Sequence, residues 1–298
     1  MTATETKADV DLQYDYSTVM RSLVIGLWKL PPRYCLQNRR FHAFCIGTSK
    51  SGTHSIVDMF PDEYRVAHEP GAQLLNKLII DHQQGRVSDQ YIHWFYRLRD
   101  IRDWVELESN YYNFCFVHHL VELFPQARFI LTLRSPASWL DSWINHTIDR
   151  REVDGSIWAD GLAAIYTPQR YEYGAEEVVF RRYGLWPLAC YLDYWRTHNL
   201  KVLEAVPEER LLVIRTNDIT HSTEQLASFL GIPHQGFKKQ ASHSFKAKAK
   251  HGVLEEIDPD YLQTMIQRYS DARITQYLDG AGSAFNHGQK SATLSTGR

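Results

Sequence analysis

Cysteine is scarce in this 298-residue chain: Cys35, Cys45, Cys115 and Cys190 stand far apart, and no two of them form a C-x-x-C pair. That removes the usual zinc-ribbon ligands and any dense disulfide framework, and predicts reduced, mostly buried thiols. A charge excess of either sign is missing too. With a formal net charge of -2 the chain has no overall attraction for a polyanion, so nucleic acid is not an expected partner. A local basic pocket for a small anion remains compatible with that balance. Long apolar runs are absent: the stretch 23–30 is too short to span a bilayer, and residues 1–15 are polar and acidic, unlike a secretory leader. A cytoplasmic protein without a membrane segment is expected. The sequence also holds no H-E-x-x-H, no cysteine cluster and no EF-hand loop, so no metal is expected.

What is present is an ordinary globular balance, 44% hydrophobic and 23% charged, on a chain long enough for a substantial core. Residues 1–16 and 280–298 are rich in small and charged residues and are expected to be loose, leaving one domain over 17–279. Within it, short apolar runs alternate with longer helical patterns. That is the signature of an α/β fold with a central, mainly parallel sheet flanked by helices. Strands are expected at 41–47, 64–68, 128–133 and 211–215, with a weaker one at 104–107. Helices are expected at 52–60, 72–82, 113–124, 136–146, 175–200, 223–230 and 259–278.

Residues 44–55, F-C-I-G-T-S-K-S-G-T-H-S, read as a strand, a loop with two glycines and the start of a helix. Gly47 and Gly52 permit a tight turn, while backbone N–H groups at the helix start and the Lys50 ammonium favour a phosphate or sulfate there. A nucleotide-triphosphate P-loop would carry Lys and then Ser or Thr directly after its second glycine. Here Thr53 and His54 follow Gly52 and the lysine lies inside the loop, so both the phosphate-gripping lysine and the magnesium ligand of such a loop are displaced.

A second motif, F-P-Q-A-R-F-I-L-T-L-R-S-P over 124–136, runs through an apolar strand into a helix. Ser135 is typed as the N-cap and Pro136 as the first helical residue, which leaves Arg134 at the carboxyl edge of the sheet. Open α/β sheets bind ligands at that edge, and a guanidinium pairs with phosphate bidentately. Ser142 lies seven residues beyond Ser135, about two turns on, and returns to the same helix face.

Together these motifs resemble those of PAPS-dependent sulfotransferases, enzymes that use 3′-phosphoadenosine-5′-phosphosulfate. The segment Lys50-Ser51-Gly52-Thr53 resembles the loop that holds the donor's 5′-phosphosulfate in that family. The pair Arg134 and Ser142 resembles its 3′-phosphate site. The resemblance extends over roughly 41–233, through Y-G-L-W-P-L-A-C-Y-L-D-Y-W at 183–195 and L-A-S-F-L-G-I-P at 226–233, with a gap at 145–182. It implies that Lys50, Ser51, Gly52, Thr53 and His54 cradle the phosphosulfate, with Lys50 also acting in catalysis, and that Arg134 and Ser142 hold the 3′-phosphate. His54 stands where the family commonly has Thr or Ser. The basic run at 243–250 sits where relatives place a loop over the donor, which makes Lys246 and Lys248 further donor contacts. PAPS is then the sulfuryl donor and 3′,5′-ADP the product, with no metal.

The acceptor, a small molecule sulfated on a hydroxyl or on an amine or carbamate nitrogen, must lose a proton to a nearby base. Glu69 and then His68, just beyond the second strand, are the first candidates; Glu108 and Ser109 form another candidate acceptor site. The acidic series Glu69, Asp100, Asp103, Glu106 and Glu108 suggests a cationic acceptor, and the aromatic stretch 158–173 is a candidate wall for its pocket. His118 and His119 are read as surface or packing residues of a helix. Two other readings stay open: a P-loop small-molecule kinase, which would need ATP and magnesium, and a non-catalytic nucleotide-binding protein, which would bind 3′,5′-ADP without turnover.

Overall fold

The computed structural model describes residues 38–150, 155–238 and 250–279. The proposed loose ends 1–16 and 280–298, together with Lys246 and Lys248, lie outside the described residues. Five strands form one parallel sheet: β1 (Ala43–Cys45), β2 (Val66–His68), β3 (Leu107–Ser109), β4 (Arg128–Leu133) and β5 (Leu211–Arg215). Their spatial order is β2-β3-β1-β4-β5. From β1 the chain moves outward to β2, returns through β3, and crosses to the other side of β1 for β4 and β5. The order therefore reverses between β1 and β4, and their carboxyl ends flank the crevice where such sheets take ligands.

Side-chain alternation along the strands divides the core in two. Phe44, Ile46, Phe129, Leu131 and Leu133 face a large cluster. It is covered by α2 (Ala72–Gln83), α3 (Asp89–Asp103), α4 (Val117–Leu123), α5 (Pro136–Asp149) and α8 (Leu188–Ala205). Ala43, Cys45, Ile130, Leu212 and Ile214 face the other layer, packed on α1 (Thr53–Asp58) and α9 (Thr223–Leu230). Cover on both faces is why β4 reads as an unbroken apolar run and not as an alternating one. Cys45, Cys115 and Cys190 are free thiols.

Several boundaries differ from the sequence expectation. The helix expected at 175–200 is two, α7 (Val178–Arg182) and α8, because left-handed Gly184 ends the first and Pro187, lacking an N–H, starts the second. The helix expected at 259–278 divides into α10 (Pro259–Arg268) and α11 (Ala272–Leu278), where the Asp271 carboxylate caps the second by accepting from the Arg273 N–H. The helix α3 was not expected at all, although Ser88 signals it by accepting from the Tyr91 N–H at 3.3 Å. The strand expected at 104–107 is displaced onwards to Leu107–Ser109. That shift puts Glu108 and Ser109 inside the sheet instead of in a loop beyond it. In the previously unassigned stretch lies α6 (Ile157–Tyr166). Its Tyr166 is buried, with ring centroids 5.8 Å from Trp143 and 4.1 Å from Tyr194.

Candidate active site

The loop after β1 is shaped by close backbone approach. A Cβ on Gly47 would lie 1.8 Å from the Thr132 hydroxyl oxygen, so only glycine lets β1 leave the sheet beside β4. Ser51 and Thr132 share a hydrogen bond at 2.7 Å, and Ser51 also donates to the Thr48 carbonyl at 2.6 Å. Gly52 caps α1 with φ of 99°, a left-handed conformation suited to glycine. Side chains from distant elements then fix the loop's carbonyls: Trp139 Nε1 donates to Ser49 at 2.8 Å, Thr216 Oγ1 to Ser51 at 2.6 Å, and Ser109 Oγ to Thr53 at 2.9 Å. Within the loop the Ser51 N–H donates to the Thr48 carbonyl at 3.1 Å, while the first-turn amides of α1 have no acceptor supplied by helical geometry.

Arg134 leaves β4 beside this loop. Its Nη1 donates to the Lys50 carbonyl at 2.9 Å and its Nε to Ser138 Oγ at 2.9 Å. The Arg134 carbonyl in turn accepts from Trp195 Nε1 at 3.0 Å. The two motifs, 84 residues apart, thus meet at the switch point. Ser142 stands half-buried one turn beyond Ser138 on α5, on the same face. Burial pulls the Lys50 ammonium below its ordinary value, and Arg134 and Arg150 pull it further. Burial likewise lowers Arg134. His146 is pushed down to about 4, by burial first and then by Lys50 and Arg150. Lys50 and His146, each lowered by burial and by basic neighbours, mark a site where an anion relieves repulsion. Neither Arg150 nor His146 was picked out in the sequence. His146 lies about one turn beyond Ser142 on α5 and Arg150 about two turns beyond it, at the helix's C-cap, a spacing no short pattern encodes.

On the other side of β1, the turn after β2 carries His68 and Glu69. Glu69 adopts φ of 48° and its N–H donates to the Ser109 carbonyl at 2.8 Å, tying the turn to β3. Burial raises its carboxyl to about 7, opposed only by the nearby His54. His68 is held down to about 4 by burial and by His54. Its Nε2 lies 3.4 Å from Thr53 Oγ1 and 4.0 Å from Glu69 Oε1.

Glu108 and Ser109 have other tasks than the acceptor contact expected of them. The Glu108 carboxylate forms a buried bidentate pair with Arg99 at 2.7 and 2.8 Å and accepts from Asn113 Nδ2 at 2.8 Å. Ser109 is spent on the Thr53 carbonyl. The acidic series is internally neutralised as well: Asp100 pairs with Arg39, Asp103 with Arg102, and Glu106 with Arg40. Of the five carboxylates only Glu69 has no arginine partner among the described residues, so four of the five carboxylates behind the expectation of a cationic acceptor are already paired. His118 is exposed on α4, while His119 Nδ1 meets His93 Nε2 at 3.0 Å, far from the loop in sequence and on another face of the core. Among the described residues, no group of three or more His, Cys, Asp or Glu is arranged to hold a metal ion, and no helix is long and apolar enough to cross a membrane.

A doubly wound parallel sheet with an anion-attracting crevice at its switch point defines the class. Within that class a family model described as a sulfotransferase domain matches residues 42–242, and the chain belongs to the sulfotransferase family. One relative, the Ava biosynthesis cluster protein M of Aspergillus versicolor, is 34% identical over 125 residues, which span 40% of this chain and 46% of that protein. The chain thus matches under half the length of this relative. Solved structures of similar shape include a sulfotransferase from Alicyclobacillus acidocaldarius, at 18% identity and a TM-score of 0.47, covering 81% of this chain and 96% of that one. Mouse sulfotransferase SULT7A1, solved in complex with PAP, aligns at 16% identity and a TM-score of 0.42 over 81% of this chain and 90% of its own.

Proposed function

We propose that this protein transfers the sulfuryl group of PAPS to a hydroxyl or an amine or carbamate nitrogen of a small molecule. The observation that carries the reading is the meeting of Lys50 and Arg134 at the switch point, two cations from separate motifs sharing one crevice. A donor with phosphates at both ends of its ribose needs two such groups, and ATP needs only one of them. Lys50 and the backbone of 51–54 would hold the phosphosulfate, and Arg134 with Ser142 the 3′-phosphate. Lys246 and Lys248 remain proposed contacts beyond the described residues. A relative named for a biosynthesis cluster supports a small-molecule acceptor.

In the transfer, an acceptor oxygen or nitrogen bonds to sulfur as the bond from sulfur to the 5′-phosphate oxygen breaks. The leaving 3′,5′-ADP keeps the electron pair, and Lys50 neutralises the charge that grows on it. Glu69 takes the acceptor's proton. A carboxyl raised to about 7 is well matched to that task at neutral pH. Because the ionised form is the base, kcat/KM is expected to climb as pH passes up through about 7 and to level off above it. In Glu69→Gln that limb should vanish along with most of the rate. A limb unchanged in the variant would assign the base elsewhere, with His68 next in line.

The donor assignment is tested by calorimetric titration of 3′,5′-ADP and 5′-AMP, without magnesium, into wild type and Arg134→Ala. A preference for the 3′-phosphate of about tenfold or more is expected in wild type, corresponding to a charge-assisted pair of about 1.5–3 kcal/mol, and should be lost in the variant. Equal binding of both nucleotides by wild type would remove the PAPS reading and favour a P-loop kinase.

A further inference from the structure

Glu69 stands in a conformation that its own sequence disfavours. Its φ of 48° lies in the left-handed region, which a residue with a Cβ seldom adopts, and the proline that follows restricts it further toward extended backbone. Such a residue keeps its place only where the surroundings over-determine it. Here each residue of the turn is tied by its backbone. The Glu69 N–H donates to the Ser109 carbonyl at 2.8 Å, and the Glu69 carbonyl accepts from the Ala72 N–H at 3.2 Å. The carbonyl of Gly71, itself left-handed at φ of 63°, accepts from the Leu74 and Leu75 N–H groups at 2.9 and 3.1 Å. Pro70 has no N–H to give, so its carbonyl is the one hydrogen-bonding group by which it can be held, and Arg99 Nη2 donates to it at 2.5 Å.

Arg99 reaches the turn from α3, 29 residues along the chain. It is 2% exposed, and the same Nη2 donates to Glu108 Oε1 at 2.7 Å while Nη1 donates to Glu108 Oε2 at 2.8 Å. Glu108 is fixed in turn by Asn113 Nδ2 at 2.8 Å, and Asn113 by the Tyr96 hydroxyl at 3.0 Å. A Cβ placed on Gly71 would lie 3.5 Å from Arg99 Nε, so the guanidinium runs along the turn from Gly71 to Pro70. A buried ion pair brings little net stability over apolar side chains of the same volume, so stability alone does not call for one here. The planar fork offers another reason: held in one plane by two bonds to a carboxylate, it is a rigid donor for a carbonyl.

We infer that Arg99 is a positioning residue for the transfer: clamped by Glu108, it holds the Pro70 carbonyl and thereby keeps Glu69 in its left-handed conformation, where the carboxylate meets the acceptor. This rests on the reading of Glu69 as the base. It gives a part in activity to α3, a helix outside both donor motifs.

The experiment uses the full chain with Arg99→Met/Glu108→Leu and Arg99→Met/Glu108→Gln. Each removes the pair without leaving a lone charge in the core, and the second keeps an acceptor for Asn113. Urea midpoints identify the conditions under which both are folded, and rates are expressed per folded molecule. Amide exchange across 69–72 is expected to quicken in both. In assays with PAPS, kcat should fall about tenfold to a hundredfold, the cost of misplacing a reacting group by about an ångström, while KM for PAPS and affinity for 3′,5′-ADP stay as in wild type. The pH profile supplies a readout that general loosening would not move. Burial holds the Glu69 carboxyl at about 7; His68 at 4.0 Å, His54 from α1, Tyr111 beyond β3 and Tyr194 from α8 are the titratable groups whose charges couple to it. A turn relaxed toward water returns the carboxyl toward its ordinary value, so the ascending limb should move to lower pH. The inference is overturned if the folded variants keep the wild-type kcat, if the limb stays where it is, or if kcat falls only in step with 3′,5′-ADP affinity. Failure of the underlying reading has a different mark: wild type would then sulfate no acceptor, or Glu69→Gln would keep the wild-type limb.

Discussion

Lys50→Ala is expected to lower kcat for sulfuryl transfer about 10²- to 10³-fold, the usual cost of removing one preorganised group aimed at charge that develops in the transition state. The effect should fall mainly on kcat. Lys50 sits in the loop at φ of 67°, held there by Arg134 on its carbonyl and by the tie from Trp139 to its neighbour Ser49. A lysine already crowded by Arg134 and Arg150 gains most when negative charge grows beside it, and that charge grows as the bond to sulfur breaks. Binding of 3′,5′-ADP, which lacks the sulfuryl group, should weaken far less. Measurement of single-turnover rates alongside 3′,5′-ADP titration separates the two. A variant with unaltered kcat and weakened nucleotide binding would reduce Lys50 to a binding residue.

Glu108→Ala is expected to cost about 3–5 kcal/mol of stability, read as a lower midpoint of urea unfolding, because it leaves the Arg99 guanidinium charged and without its partner in the core. Arg99 is only 2% exposed. Beyond its bidentate pair, its Nη2 donates to the Pro70 carbonyl at 2.5 Å, and Asn113, itself accepting from the Tyr96 hydroxyl at 3.0 Å, donates to Glu108. The network therefore lies directly under the turn that holds Glu69, and its loss should also blunt activity in whatever fraction remains folded. The double variant Arg99→Met/Glu108→Leu removes both charges at similar volume and should regain most of the stability. A single variant that loses less than about 1 kcal/mol would show that water or another side chain compensates Arg99, against the buried pair described here.

The two stretches that carry Lys50 and Arg134 were legible in the sequence for a local reason. Glycines at 47 and 52, a lysine between them, and an arginine followed by a serine-proline helix start are each dictated by short-range geometry: a tight turn, a close approach, a cap. Such constraints leave their mark within a few adjacent residues. The partners of the acidic residues were not legible in the same way. Glu106, Glu108, Asp100 and Asp103 look alike along the chain as an acidic series, but each meets an arginine: Arg40, Arg99 and Arg39 come from nine or more positions away and Arg102 is the neighbour of Asp103. The displaced third strand had the same origin. A three-residue strand in a sheet buried on both faces carries too few residues for a period to register, so its bounds are fixed by pairing with β1 and β2 and not by its own sequence.

By itself the sequence determined the α/β class and the strands that bracket the Gly47–Gly52 loop, because each follows from backbone sterics or from the alternation of apolar runs with helical patterns. The tertiary structure decided that Arg134 meets the Lys50 carbonyl, that Glu69 alone of the series Glu69, Asp100, Asp103, Glu106 and Glu108 has no arginine partner among the described residues, and that His54 packs against His68. Strand order, and with it the meeting of Arg134 with the Lys50 loop, is settled by contacts between residues tens of positions apart, where no local pattern reaches.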